Sequence, residues 1–193
     1  MLGMVMAVKS IRQLAYVCNV GSFNDTLDFW HRTFDAGPFW VTDVEPAEQI
    51  YDGRPTSSAW RLAVTYIGQS NIEIVAPLND APSVWSDGLA VAPHIPPAGL
   101  FHHIVLDTDD FDARRDILLA SGAKYGMSLK ISGRRVHYVD AREILGCFVE
   151  LVEWMPWTAS VIDYMKETCA TWDGKDELRS YNDVFRQLTG TEL

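Results

Sequence analysis

Ile11-Arg-Gln-Leu-Ala-Tyr-Val17 and Phe101-His-His-Ile-Val-Leu-Asp107 are the stretches whose reading decides the fold. Both alternate like strands rich in β-formers, and each carries a metal-capable side chain among apolar ones: Gln13 in the first, His103 in the second. A second pair repeats the relation. Asn71-Ile-Glu-Ile-Val75 is echoed by Phe148-Val-Glu-Leu-Val152, each with a glutamate at its centre. Laid over one another, the copies put Gln13 on His103 and Glu73 on Glu150. Side chains alternate across a strand, so Leu14 and Tyr16, Ile72 and Ile74, Ile104 and Leu106, and Val149 and Leu151 form apolar faces suited to pack beneath helices. The other face carries one polar group per strand. A carboxylate in such surroundings needs a partner, because burying it unpaired is costly. A divalent cation shared by Glu73 and Glu150 meets that need. A single strand glutamate is ordinarily solvated, and a single histidine is ordinarily a surface or satisfied core residue. Four metal-capable residues at repeat-equivalent positions favour a metal site instead.

Working outward, each copy reads as β-α-β-β-β. After the first strand, Gly21-Ser22 breaks the pattern, and Ser22 with Asp25 resembles a helix start. Phe23, Leu27, Trp30 and Phe34 follow at helical spacing, and Ala36-Gly37-Pro38 ends the helix. Phe39 to Thr42 reads as a short strand, 43–57 as a mobile polar loop, and 58–68 and 71–76 as a strand pair. Residues 77–100 hold five prolines and read as a linker with a short helical turn near Trp85. In the second copy Asp109-Asp110 caps a helix that ends at Gly122. Strands follow at about 124–131, 134–140 and 146–153. Two helices, 157–170 and 177–188, lie outside the repeat. The division expected is a first module at 1–78, a linker at 79–100, a second module at 101–154 and a helical extension at 155–193. The fold class is α+β, with two paired βαβββ modules forming curved mixed sheets around a cavity.

Composition sets the limits. The 193 residues are 48% hydrophobic and 22% charged, as in an ordinary globular protein. A net charge of -10 argues against a nucleic-acid partner, since phosphate binding needs clustered Lys and Arg. No apolar run reaches the roughly 20 residues of a membrane span. The apolar start, Met1 to Val8, lacks a basic n-region and is not read as a signal peptide. Cys18, Cys147 and Cys169 are odd in number and far apart, which fits reduced thiols in a cytoplasm. A thiolate zinc site is not expected without a CxxC pair.

The ligand set of one amide, two carboxylates and one imidazole suits Zn, Ni, Co, Mn, Fe or Mg more than Cu(I). Other candidates are weaker. His102, adjacent to His103, is expected on the opposite face. One of His137 and Tyr138 should face the cavity. His31 is expected at the surface. Arg134-Arg135 can meet a carboxylate, phosphate or CoA group, although a solvated turn is the simpler reading. Phe39, Trp40 and Trp60 are expected in the core more than along the cavity. The stripe Val161, Tyr164, Met165 and Thr168 implies a helix docked on the core or on a second copy.

At these residues the chain resembles the vicinal oxygen chelate superfamily, also called the glyoxalase/bleomycin-resistance/dioxygenase superfamily. The resemblance rests on Ile11–Val17 and its following helix, Gly37-Pro38-Phe39, Asn71–Pro77, His102-His103-Ile104, Asp109–Gly122 and Phe148–Glu153. It implies a metal held by Gln13, Glu73, His103 and Glu150, with Glu150 as first choice for the catalytic base and Glu73 as a second base or a ligand. Gln, Glu, His, Glu in chain order matches zinc-dependent glyoxalase I by type, although its glutathione-binding arginines have no clear counterpart. The local strand motifs are closer to methylmalonyl-CoA epimerases, which carry His and Gln at the first two positions. The absence of a histidine at position 13 weighs against a ring-cleaving dioxygenase. The implied activity is a metal-dependent isomerase or lyase acting beside a carbonyl or thioester, cytoplasmic and homodimeric, with no membrane partner. The competing reading is a non-catalytic protein that sequesters a drug-like molecule in the cavity.

Overall fold

The computed structural model describes residues 7–191; the first six residues of the apolar start lie outside them. In chain order the first half holds β1 (Ser10–Val17), α1 (Phe23–Phe34), β2 (Phe39–Val44), β3 (Gln49–Tyr51), β4 (Arg54–Pro55), β5 (Trp60–Ile67) and β6 (Ser70–Pro77). α2 (Val84–Val91) joins it to the second half, which holds β7 (Leu100–Asp107), α3 (Phe111–Ala120), β8 (Lys124–Ile131), β9 (Arg134–Asp140), α4 (Arg142–Leu145) and β10 (Phe148–Val152). α5 (Thr158–Ala170), β11 (Leu178–Ser180) and α6 (Tyr181–Thr189) end the described chain. The protein is α+β, with one mixed sheet in the order β11-β2-β5-β6-β1-β7-β10-β9-β8-β3-β4.

Chain connectivity forces this sheet to curl. β2 and β3 stand eight positions apart in the sheet order, which in a flat sheet at about 4.8 Å per strand is roughly 38 Å. Yet only Glu45 to Glu48 separate them, a reach of at most about 18 Å. The two ends of the sheet therefore approach one another, and the concave side encloses an interior. The antiparallel pairing of β1 with β7 is the seam between the halves, and the parallel pairs β1–β6 and β7–β10 flank it.

Helices cover the convex side as the apolar faces require. α1 buries Phe23, Leu27 and Trp30 against Ile72 and Ile74, while α3 packs Phe111, Leu118 and Leu119 against Val149 and Leu151. One part of the interior is filled by Trp85 of α2, its ring tilted 35° against Trp60 at a centroid distance of 4.1 Å, together with Val17, Met127, Tyr138 and Phe148. Elsewhere α5 and α6 place Val161, Met165 and Phe185 on Trp40, Val64 and Tyr66. The α5 stripe thus docks on the core of its own chain. Phe39, Trp40 and Trp60 are core residues.

Four local expectations need correction. Residues 43–57 are not simply a loop: β3 pairs with β8 of the other half and turns back into β4. The proline-rich linker contains a two-turn helix, α2, whose start is secured by a reciprocal Ser83–Ser86 capping box. Residues 178–180 form a strand parallel to β2, so α6 begins only at Tyr181. Ser22 does not cap α1; its hydroxyl donates to the Asn19 carbonyl inside a 3-10 turn instead. Asp110 does cap α3, accepting from the Ala113 N–H.

Candidate metal centre

Four adjacent central strands, β6, β1, β7 and β10, present the polar positions to the interior. Strand register sets them in two rows. Glu73 and His103 lie on either side of Ala15, and Gln13 and Glu150 lie on either side of Val105. Ala15 and Val105 offer no polar atom, so the groups beside them face one another. His103 Nε2 lies 2.9 Å from Glu150 Oε2 and 3.4 Å from Glu73 Oε2. The ligand atoms of Glu73, His103 and Glu150 all fall within 4.8 Å of one another, and all three residues are buried. Gln13 is half-buried and hydrogen-bonds to Glu73.

His102 determines which nitrogen of His103 faces this cluster. Its Nε2 lies 2.9 Å from the Val84 carbonyl, and its Nδ1 lies 2.8 Å from His103 Nδ1. A carbonyl only accepts, so His102 Nε2 carries the hydrogen. Burial, and then the charge of His103, lowers the His102 pKa to about 3, so the ring is neutral and its Nδ1 must accept. His103 therefore donates through Nδ1–H, and its Nε2 is the nitrogen left for the two carboxylates. His102 was expected on the opposite face. It lies beside His103 because the β1–β7 register jumps from Ala15–His103 to Tyr16–Phe101, leaving His102 as the extra residue of a bulge.

The electrostatics are those of two acids sharing one base. Burial alone would lower the His103 pKa, but Glu150 and Glu73 outweigh it and hold it up at about 9. Burial raises the Glu73 pKa more than His103 lowers it. For Glu150 burial also acts upward, but His103, hydrogen bonding from Tyr138 and the charge of Arg12 bring it below the usual carboxylate value. His103 Nε2 makes no aligned hydrogen bond despite the short approach to Glu150. It lies within 3.4 Å of an oxygen of each glutamate. Ligand atoms about 2.1 Å from a single ion stand about 3.0 Å apart at right angles and about 3.4 Å apart at tetrahedral angles. The 2.9 and 3.4 Å separations match that spacing, so the residues present fit a divalent cation.

The cluster opens into a cavity of about 110 Å3. Gln13, Glu73 and Glu150 lie along one part of its lining, and Trp157, Val161 and Met165 of the C-terminal segment along another. Arg12 and Arg134 also line it. Arg134 is thus a cavity residue and not a solvated turn, whereas Arg135 is taken up by Asp112 and Glu153. Tyr138 is the member of its pair that approaches His103, with ring centroids 5.2 Å apart. His137 turns to the other side, against Tyr125 and Phe111. His31 packs near Trp172, with its Nδ1 at the Ala36 carbonyl, away from the site. Arg12 was missed altogether. A bulge between Ile11 and Gln13 in the pairing with β7 turns it toward the cavity, and its local sequence carries no sign of this.

Comparison with known proteins fits this architecture. No curated protein matches the sequence. Among solved structures, a hypothetical protein of Bacillus halodurans C-125 is 16% identical, with 76% of this chain and 94% of that one covered and a TM-score of 0.52. The methylmalonyl-CoA epimerase of Mycobacterium tuberculosis is 18% identical, with 83% and 97% covered and a TM-score of 0.50. At such identities these likenesses speak for the fold. A family profile described as the Glyoxalase/Bleomycin resistance protein/Dioxygenase superfamily matches residues 12–139, from the bulged arginine of β1 nearly to the end of β9, and the chain belongs to that superfamily.

Proposed function

We propose that this chain is a metal-dependent isomerase or lyase that moves a proton on a carbon next to a carbonyl. The observation that carries the proposal is the convergence of Glu73, His103 and Glu150 in a buried cluster whose imidazole nitrogen lies within 3.4 Å of both carboxylates. Gln13, Glu73, His103 and Glu150 would hold the ion, all four supplied by one chain. A divalent cation there would supply Lewis acidity toward a substrate carbonyl oxygen, which makes the neighbouring C–H bond more acidic. The chain's own residues handle the proton. Glu150, whose ionised form the Tyr138 hydrogen bond and the charge of Arg12 favour, accepts it at a carboxylate oxygen. Glu73, on the other side of His103, serves as a second base or remains a ligand. A structural neighbour that is an epimerase is in keeping with this reaction type.

The drug-sequestering alternative needs room for its ligand. Pockets for drug-sized molecules run to about 300–1,000 Å3, several times the cavity here. We keep a homodimer as part of the proposal; sedimentation velocity reads the mass directly. The deciding experiment is metal analysis of protein expressed with supplemented metals, together with solvent-deuterium exchange into a panel of carbonyl compounds. Close to one ion per chain and exchange at the carbon beside the carbonyl are expected. Glu150→Gln should keep the fold and most of the metal and lose exchange by at least about a hundredfold. Full exchange in that variant rejects the assignment of Glu150, and no metal in any preparation rejects the enzyme reading.

A further inference from the structure

We propose that the cavity selects a small carboxylate, held by Arg12 and Arg134, and that the C-terminal segment excludes coenzyme A thioesters. The proposal rests on the metal-site reading above and deepens it by naming the substrate class.

The first observation is the state of the two arginines. This chain has 26 acidic and 16 basic residues, and Arg32, Arg61, Arg115, Arg135 and Arg142 all pair with carboxylates. Among the described residues, neither Arg12 nor Arg134 has a carboxylate within ion-pair distance. Arg134 lies with its guanidinium 5.2 Å from the Trp157 ring, and its Nε is buried with no hydrogen-bond partner. Arg12 lies 5.9 Å from the Trp154 ring. An arginine held on an aromatic face keeps its N–H fork free for another acceptor.

The second observation is charge within the cavity. Arg12 and Arg134 bring two guanidinium groups to one cavity inside a protein whose overall charge is -10. Two forks with spare donors suit a carboxylate, which accepts bidentate hydrogen bonds.

The third observation is size. At about 110 Å3 the cavity is well below the roughly 300–1,000 Å3 of sites for drug-sized molecules. A short 2-oxo, 2-hydroxy or 1,3-dicarboxylic acid is of the size that suits it. Trp157, Thr158, Val161, Ile162 and Met165 of the C-terminal segment line the cavity, and a molecule as large as a coenzyme A thioester exceeds its volume. A short acid held at its carboxylate by the arginines leaves its carbonyl or hydroxyl free for the Gln13–Glu73–Glu150 part of the cavity.

The test is calorimetric titration of metal-loaded protein with pyruvate, 2-oxobutyrate and malonate, with methyl pyruvate as the uncharged control and malonyl-CoA as the large one. At least one acid should bind, methyl pyruvate about tenfold or more weaker than pyruvate, and malonyl-CoA not measurably. Arg12→Gln and Arg134→Gln should each weaken acid binding about tenfold or more at unchanged metal content, because hydrogen bonds to charged groups are among the strong ones. Circular dichroism checks their fold, and Arg134→Lys should lose less than Arg134→Gln. No binding of any acid, equal binding of the ester, unaltered binding in both glutamine variants, or tighter binding of malonyl-CoA each overturns the proposal. Metal content and deuterium exchange are read on the same samples. Arginine-dependent binding without exchange defeats the enzyme reading and leaves this one standing, while exchange with no arginine dependence does the reverse.

Discussion

At the residue scale, the least replaceable feature of the site is a histidine that touches neither carboxylate. His102 is neutral, donates to Val84 and accepts from His103, and so assigns the cluster-facing nitrogen of its neighbour. His102→Phe would keep the ring volume beside Phe148 and leave the His103 Nδ1–H without an acceptor. Losing such a supporting hydrogen bond ordinarily costs about 10–100-fold in metal affinity. Competition against a chromophoric chelator should show that loss with the secondary structure unchanged. Equal affinity in the two proteins means that something other than His102 orients His103. The residues read from sequence and those missed separate cleanly here. Gln13, Glu73, His103 and Glu150 sit where strand alternation puts them, because the direction of a side chain on a regular strand is a local property. Arg12 and His102 do not, because each is the surplus residue where two strands fall out of step.

At the element scale, α2 shows how a stretch read as linker becomes part of the support of the site. It supplies the carbonyl that orients His102, and Gly88 gives the ring room: a Cβ there would stand 2.9 Å from His102 Cδ2. Helix propensity alone favours Gly88→Ala by roughly 1 kcal/mol. The His102 ring is bonded at both nitrogens and stacked 4.8 Å from Phe148, so it has little freedom to retreat. Overpacking of this kind costs about 1–3 kcal/mol. Urea denaturation should therefore find Gly88→Ala less stable than the parent by about 0–2 kcal/mol, with metal affinity reduced as well. A more stable variant with unchanged affinity means the ring is looser than its contacts imply. β3 was illegible for a different reason. A three-residue strand has no periodicity of its own, and it exists because β8 offers an open edge.

For the whole molecule, the halves meet at the β1–β7 seam and again where β3 pairs with β8, and the candidate ligands lie on both sides of the β1–β7 seam. Gln13 and Glu73 come from the first half, and His103 and Glu150 from the second. A bound ion thus ties the halves together. At about a hundred times its Kd, such an ion adds about 2.7 kcal/mol to stability. For a chain of this size that corresponds to a fall in Tm of roughly 5–10 °C on removal of the metal. Differential scanning calorimetry before and after exhaustive chelation, with re-addition as control, reads it directly. An unchanged Tm would place the ion elsewhere or remove it from the account.

The repeated β-α-β-β-β order of the main elements in the two copies and the interior-facing side of Gln13, Glu73, His103 and Glu150 were legible in the sequence alone. Each follows from periodicity within a few neighbouring residues. The tertiary structure decided the rest: two bulges that turn Arg12 and His102 inward, the curl that brings the sheet's ends together, and the C-terminal helix that narrows the cavity. The physical reason is that a bulge is a mismatch between paired strands and a cavity is the space left by segments distant in the chain. Neither is a property of any single stretch of sequence.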